Sequence, residues 1–212
     1  MGRAVGLMRA GGPDEGYEVI ARRELPLETV QLARYLIGKV VVRRTPEGIL
    51  SGRIVETEAY PVGDAAGHAY RGETPRNHAL FLTRGHAYVY LAYGSSYMLN
   101  VSSEAAGVGA GVLIRALEPL EGIATMQRLR RVQNLRDLAR GPGRLAAALD
   151  IDRRLDGVDL CRRGGLWIAR DLHDAPDVGA SPRIGLSKET DRLLRFYVRA
   201  DRFVSGPKAL NR

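Results

Sequence analysis

The chain has 212 residues, enough for one sizeable hydrophobic core and few for two. A formal charge of +8, carried almost entirely by arginine, favours a polyanionic partner such as DNA or RNA. Its single cysteine, Cys161, excludes an internal disulfide and a zinc site built from several thiolates. The sequence begins without a secretory apolar segment and contains no apolar run long enough for a bilayer. We therefore expect a cytoplasmic, nucleoid-associated protein rather than a membrane protein.

In chain order, a tail, a helix and a series of strands are predicted. Residues 1–16 are rich in glycine and are expected to form a flexible tail ahead of one domain over residues 17–212. Apolar residues at helical spacing predict a helix over residues 28–37, ended by Gly38. Strands are expected at residues 40–44, 49–60, 86–92, 97–102, 112–116 and 194–199.

The second half adds helices to this pattern. A basic amphipathic helix is predicted over residues 121–132, and two short helices, 134–140 and 145–149, are expected on either side of a Gly-Pro-Gly turn. Residues 150–177 show no period, with Trp167 as the expected core anchor. The sequence therefore predicts an α+β fold: a single domain with a curved antiparallel sheet, a protruding β-hairpin and surrounding helices.

Two acids and a phenol alternate along the strand predicted over residues 49–60. Residues two apart in a strand share a face, so Glu56, Glu58 and Tyr60 are expected to point the same way. Buried carboxylates are costly unless something uses them, and the pattern alone favours an exposed, solvated strand face. The residues that follow shift the balance towards a pocket that holds a flat ring beside a carboxylate.

Aromatic residues follow this strand in a loop and a hairpin. His68 lies in the loop 61–77, and loops held by a rigid scaffold often carry function, although a lone histidine is more often structural. Tyr88 and Tyr90 share a strand face, which also fits ordinary sheet packing. Tyr93 is placed near an exposed turn, where an aromatic side chain fits a wedge inserted between stacked bases.

A second candidate DNA contact lies at the Gly-Pro-Gly turn. Gly141 and Gly143 precede a predicted helix and are flanked by Arg140 and Arg144. Free backbone N–H groups at a helix start, with two arginines beside them, form a candidate phosphate site. The alternative is a plain turn between helices.

Eight motifs follow one another in order between residues 21 and 205. They are residues 52–60, 74–77, 88–90, 93–94, 100–103, 113–122, 141–143 and 194–198. No single motif is decisive, but the ordered set is highly specific, and it resembles the alkyladenine (3-methyladenine) DNA glycosylase family. The resemblance implies a monofunctional DNA glycosylase of base excision repair. Such an enzyme flips an alkylated or deaminated purine out of duplex DNA, hydrolyses its N-glycosidic bond and leaves an abasic site.

The resemblance also implies roles for individual residues. Glu58 matches the general base that deprotonates the attacking water, while Arg115 and the backbone of Val198 match groups that position this water. The positions that bind the flipped base are Tyr60, His68, Tyr90 and Asn100, the last of which crowds the 2-amino group of normal guanine. The positions expected to contact DNA are the intercalating Tyr93 with Arg76, Arg140, Gly141, Gly143 and Arg144.

No cofactor and no metal ion are expected, and the expected partner is double-stranded DNA containing a damaged purine, bound by a monomer. Because the pocket motifs lack lysine, we expect no Schiff base and no strand-cleaving step. The lesion remains open among 3-methyladenine, 7-methylguanine, hypoxanthine and ethenoadenine.

Three alternatives remain open at this point. A non-catalytic damaged-DNA-binding protein on the same scaffold would not need Glu58. A helix-hairpin-helix glycosylase is suggested by residues 141–143, although no matching acid and lysine follow. A metal-dependent nuclease would use Glu56, Glu58 and Asp64, and a chelator would abolish its activity.

Overall fold

The computed structural model describes residues 16–171, 176–207 and 209, so the predicted tail lies, apart from Gly16, outside the described residues. Within them, eight strands form one antiparallel sheet. The strands are β1 (Val40–Thr45), β2 (Gly48–Tyr60), β3 (Ala87–Ala92), β4 (Ser96–Ser102), β5 (Gly111–Glu121), β6 (Leu166–Ala169), β7 (Val178–Ser181) and β8 (Arg195–Val198). The α-helices are α1 (Thr29–Leu36), α2 (Ile123–Arg130) and α3 (Pro142–Ala148).

Strand β2 is central because it is long enough to pair with three neighbours. It pairs with β5 over most of its length, with β1 near its start and with β8 near its end. The strand order is β3-β4-β5-β2-β1-β6, and β7 pairs with β8. The register between β2 and β5 shifts on both sides of Glu56, and such irregularities bend a strand and increase its twist. The curled antiparallel sheet and its three helices confirm the predicted α+β fold with a curved sheet.

Helix α1 packs on β2 and β5 and fixes the strand that carries the polar residues. The helix begins after Glu28, whose carboxylate accepts hydrogen bonds from the backbone N–H groups of Val30 and Gln31. Gly38, with a φ of 83°, follows its end as predicted. The buried face of the helix consists of Thr29, Leu32, Ala33 and Leu36.

Strands β3 and β4 form the predicted hairpin, with Tyr93 in its turn. Ala92 pairs with Ser96, which leaves three residues in the connection. Tyr93 and Gly94 both adopt positive φ values, 52° and 69°. The turn leaves the Tyr93 side chain 90% exposed, so nothing in the fold itself accounts for this ring.

Some segments differ from the sequence-based expectation. Pro142 opens α3 instead of joining two helices, since proline fits the first turn, where no backbone hydrogen bond is lost. The helix predicted over residues 134–140 is reduced to the 3-10 turn Leu135–Asp137. Strand β6 lies within the segment expected to be irregular, and β7 follows it; four residues are too few to show a period. Trp167 of β6 is fully buried, as predicted. Across the described residues, no helix combines the length and apolarity needed to cross a membrane.

Candidate active site

A cavity of about 370 Å³ lies where β2, β5 and the β3–β4 hairpin meet the loop that follows β2. The segment 184–186 closes another side of it. Seven of the predicted site residues line the cavity: Glu58, Tyr60, His68, Tyr90, Tyr93, Asn100 and Arg115. The fold therefore brings together side chains that come from four strands, a loop and a turn.

Glu58 is fully buried, and both of its carboxylate oxygens are engaged. Oε1 accepts a hydrogen bond from the backbone N–H of Ile184 at 2.7 Å and lies 3.1 Å from Nη1 of Arg115. Oε2 accepts a hydrogen bond from the Tyr60 hydroxyl at 3.0 Å. The prediction of an exposed, solvated strand face, which the pattern alone favoured, is therefore wrong. Three donors fix the direction of the carboxylate.

Glu56 has different surroundings, because two guanidinium groups face its charge. Oε1 accepts hydrogen bonds from Nε of Arg115 at 2.8 Å and from Nε of Arg195 at 2.7 Å. Oε2 accepts from the backbone N–H of Ser205 at 2.7 Å. Burial raises the pKa of Glu56, but the charges of Arg115 and Arg195 outweigh this effect, and the pKa lies below its ordinary value. Arg115 bridges the two acids, and Glu56 holds it beside Glu58.

Aromatic rings form the walls of the cavity. The rings of His68 and Tyr90 meet edge to face with centroids 4.4 Å apart, and Tyr88 stacks on Tyr90 at 5.2 Å. Burial, followed by the positive charge of Arg76, lowers the pKa of His68. Burial, followed by the charge of Glu58, raises the pKa of Tyr60. These walls are therefore neutral near pH 7 and suited to a flat ring.

Two buried asparagines fix the segments that carry these rings. Nδ2 of Asn100 donates to the backbone oxygen of Tyr88 at 3.1 Å. Nδ2 of Asn77 donates to the backbone oxygen of His68 at 2.9 Å, and its Oδ1 accepts from the backbone N–H of Thr74 at 2.7 Å. The motif over residues 74–77 therefore shapes the loop that carries His68.

The Gly-Pro-Gly segment lies across a shallow cleft from the hairpin tip, and the cleft includes Tyr93, Gly141 and Gly143. A Cβ on Gly143 would lie 2.9 Å from the Cβ of Ser96, so glycine allows α3 to approach the hairpin closely. Because this segment opens one helix after a 3-10 turn, it does not form a helix-hairpin-helix motif.

The arginines predicted to contact DNA are exposed to different degrees. Nε of Arg140 donates to the backbone oxygen of Val204 at 2.8 Å, which leaves the residue half-buried. Arg144 lies 3.5 Å from Oδ1 of Asp137 and is half-exposed beside the cleft. Arg76 is exposed near the hairpin, with Nη2 3.5 Å from the backbone oxygen of Leu91.

Val198 is not brought into the cavity, contrary to its predicted role. Strand β8 places Arg195 opposite Glu58 and Tyr197 opposite Glu56, so Val198 lies beyond Glu56, on the side away from Glu58. The backbone group that reaches Glu58 belongs instead to Ile184.

Sequence reasoning also missed Ile184, Arg195 and Ser205. They lie 126, 139 and 149 positions from the acids that they contact, so no local motif connects them. One signal was available: an arginine between Leu194 and Phe196 in an apolar strand indicates a buried ion pair.

The three acids of the nuclease alternative face arginines. Oδ2 of Asp64 lies 2.6 Å from Nη1 of Arg183, while Glu56 and Glu58 both contact Arg115. In the described ranges, no group of three histidine, cysteine or acidic side chains is arranged to hold a metal ion. The guanidinium groups that pair with Asp64, Glu56 and Glu58 occupy the places where a metal ion would bind, and these pairs disfavour a metal-dependent nuclease.

Known proteins similar to this chain point to the same class of protein as the cavity. The profile of the methylpurine-DNA glycosylase family matches residues 23–202. A Mesorhizobium japonicum protein is 67% identical over 210 residues, covering 99% of each chain. A Paraburkholderia phytofirmans protein is 54% identical over 191 residues, or 90% of each chain. A Rubrobacter xylanophilus protein is 46% identical over 176 residues, which is 83% of this chain and 92% of the relative. All three carry the name "Putative 3-methyladenine DNA glycosylase".

The fold, the buried acid beside neutral rings and these matches define a DNA glycosylase, a hydrolase of N-glycosyl bonds that acts in DNA repair. The chain belongs to the methylpurine-DNA glycosylase family. Membership favours an enzyme over the non-catalytic alternative, and DNA is its substrate.

Proposed function

We propose that the protein is a monofunctional glycosylase that flips alkylated or deaminated purines out of duplex DNA and hydrolyses their N-glycosidic bond. One observation carries the proposal: the carboxylate of Glu58 is buried and held by three donors at a cavity whose walls are neutral rings. Such a cavity suits a flat base. The carboxylate can act as the general base that hydrolysis of the bond between base and sugar requires.

In this mechanism Glu58 accepts a proton from a water molecule, whose oxygen bonds to C1′ of the sugar. The glycosidic bond breaks, and its electron pair stays on the base nitrogen. A cationic alkylated purine leaves as a neutral molecule without further protonation, so one carboxylate is sufficient. A neutral deaminated purine leaves as an anion and takes a proton from water. The transition state resembles an oxocarbenium ion, which the anion of Glu58 stabilises. Arg115 fixes the position of Glu58.

Tyr60, His68 and Tyr90 are the proposed stacking partners of the flipped base. A cationic or electron-poor purine is attracted to the faces of phenol rings. Asn100 lies in the cavity and donates to the Tyr88 backbone oxygen, and its proposed role is to crowd the 2-amino group of normal guanine. Selection then depends on shape as well as on the reactivity of the damaged base.

Tyr93 is the proposed wedge that occupies the gap left by the flipped nucleotide, since its ring is almost fully exposed at the hairpin tip. The proposed phosphate contacts are Arg76, Arg140 and Arg144, with the backbone at Gly141 and Gly143. The partner is duplex DNA with one damaged purine, bound by a monomer.

The site supports hydrolysis without strand cleavage. Among the described residues that line the cavity, none is a lysine. A lyase step would need an amine to form a Schiff base with the sugar. The proposed product is therefore an intact strand with an abasic site.

Base release in the presence of EDTA tests this proposal directly. Duplexes carry a single ethenoadenine, hypoxanthine or stable 3-methyladenine analogue, and wild type is compared with Glu58→Gln. We expect release by wild type, none by Glu58→Gln, and retained binding of both to abasic duplex. Glu47→Gln is the matched control, because Glu47 is an exposed acid at the other end of β2. Full activity of Glu58→Gln would contradict the mechanism.

A further inference from the structure

Asp64 and Arg183 form an ion pair behind Tyr60 that the mechanism above does not use. Nη1 of Arg183 donates to Oδ2 of Asp64 at 2.6 Å and to the backbone oxygen of Ala59 at 2.9 Å. Both side chains are fully shielded from solvent. Oδ1 of Asp64 accepts a hydrogen bond from the backbone N–H of Ala66 at 2.9 Å. The pair therefore ties the end of β2 to the following loop and to the segment that contains Arg183.

The guanidinium of Arg183 also stacks on Tyr60, with Cζ 4.5 Å from the ring centroid. Tyr60 lines the cavity and Arg183 does not, so the guanidinium covers the ring on the side away from the cavity. Nε and Nη2 of Arg183 have no hydrogen-bond partner among the described residues. A buried cation with unsatisfied donors costs stability, so its presence here indicates a role in the site rather than in the core.

Arg183 is linked to both neutral donors of Glu58. The Tyr60 ring, whose hydroxyl donates to Oε2 of Glu58, rests on the guanidinium. Ile184, whose backbone N–H donates to Oε1, is the next residue in the chain. A displacement of Arg183 would therefore disturb the hydrogen bonds to both carboxylate oxygens.

We propose that the Asp64–Arg183 pair is a positioning device for Glu58: one buried guanidinium holds the Tyr60 ring and the Ile184 N–H in the places that orient the carboxylate. This inference rests on the proposed hydrolytic function. Arg183 needs no contact with the base or the attacking water. Lysine cannot replace it, because a point charge does not stack as a plane and bridge two acceptors at fixed angles.

The test is the substitution Arg183→Lys, with Arg192→Lys as its matched control. Nη1 of Arg192 lies 3.7 Å from the same Oδ2 of Asp64, but its side chain is 44% exposed. The measurement is the single-turnover rate of base release at saturating enzyme, together with the enzyme concentration that gives half of this rate. Active sites are counted by titration with an abasic duplex, so a smaller folded fraction does not count as a slower reaction.

We expect Arg183→Lys to lower the rate per active site by roughly 10- to 100-fold, the cost of misplacing a catalytic group by about an ångström. The half-saturating concentration should stay within about two-fold, because the DNA-contacting surface is unchanged. Arg192→Lys should change neither quantity. A rate for Arg183→Lys within about two-fold of wild type, or an equal loss in Arg192→Lys, would overturn the inference.

A second variant keeps the test decisive if Arg183→Lys does not fold. Asp64→Asn keeps the shape of the carboxylate and removes its charge, so Arg183 loses its ionic anchor; the same loss of rate is expected, and a wild-type rate would overturn the inference. Failure of the proposed function looks different. In that case wild type itself would release no base from any of the three duplexes.

Discussion

Glu56 and Glu58 are two positions apart on one strand, yet the groups that face their carboxylates differ. Glu56 contacts two guanidinium groups, which take up its charge inside the protein. Glu58 shares one of these groups, Arg115, and its other donors are a neutral hydroxyl and a backbone N–H. Glu58 also lines the cavity, whereas Glu56 does not. The surroundings of Glu56 therefore suit a support for Arg115, and those of Glu58 suit the base that we propose.

Replacing Glu56 by glutamine tests whether its charge stabilises the two buried arginines. The variant Glu56→Gln keeps the shape of the side chain but leaves Arg115 and Arg195 short of one buried negative charge. Breaking a buried pair in this way costs about 3 kcal/mol of the free energy of unfolding, which urea denaturation measures. Glu47→Gln serves again as the control and should unfold like wild type, since exposed pairs contribute little. A wild-type midpoint for Glu56→Gln would contradict the assigned role.

The same variant predicts a pH dependence. The pKa of Glu56 lies below its ordinary value in the folded protein, so its ionisation stabilises the fold fully above the ordinary glutamate pKa of about 4.3. This stabilisation is lost as the pH falls towards the folded pKa. The difference in unfolding free energy between wild type and Glu56→Gln should therefore be constant above about pH 5.5 and shrink below about pH 4. A difference that grows on acidification would be the wrong sign.

Among the elements, the β3–β4 hairpin has strands that pair within the sheet and an exposed residue at its turn. Tyr93 does not pack in the core, so its substitution can change DNA binding without changing the stability of the fold. We expect Tyr93→Ala to leave the thermal midpoint nearly unchanged and to slow capture of the flipped base. Stacking of an aromatic ring on a base contributes about 1–3 kcal/mol, and the slowing should be roughly ten-fold.

Stopped-flow fluorescence of 2-aminopurine placed beside the lesion measures this capture. Tyr93→Phe is the matched control, because a wedge needs the ring and not the hydroxyl. Equal slowing in both variants would show that the hydroxyl matters more than the inserted ring. Capture by Tyr93→Ala at the wild-type rate would remove Tyr93 from the mechanism.

Elements with a clear period were predictable from the sequence, and short buried ones were not. Helix α1 follows from apolar spacing and from Gly38, and the β1–β2 hairpin follows from two strand patterns on either side of a turn. The four-residue strands β6 and β7 form instead by pairing, β6 with the distant β1 and β7 with β8. Six of the seven predicted residues that line the cavity lie in contiguous motifs, and His68 lies in the loop between two of them. The pairing of Arg183 with Asp64 and of Arg195 with Glu56 depends on long-range packing, and the local pattern around Arg195 indicates a buried ion pair without identifying its acid.

At the scale of the whole molecule, nearly all positively charged side chains are arginines, and these arginines differ in their exposure. Buried arginines such as Arg115, Arg183 and Arg195 are paired with acids and support the site. Others, including Arg76 and Arg144, are exposed near the hairpin or the cleft beside it. Only arginines of the exposed kind can displace counterions from DNA, so the net charge of +8 does not measure the number of phosphate contacts.

The salt dependence of duplex binding separates these two kinds of arginine. Each phosphate contact contributes about −0.9 to the slope of the logarithm of the binding constant against the logarithm of salt concentration. Arg144→Ala should weaken binding and make this slope shallower by about one. Arg128→Ala is the control, because it removes a similarly exposed charge that faces Glu47 near the far end of β2. Fluorescence anisotropy between about 50 and 200 mM salt, with a labelled abasic duplex, gives both slopes. Equal slopes for wild type and Arg144→Ala would place the phosphate backbone elsewhere, whereas a shift in Arg144→Ala alone would place it across the cleft between α3 and the hairpin tip.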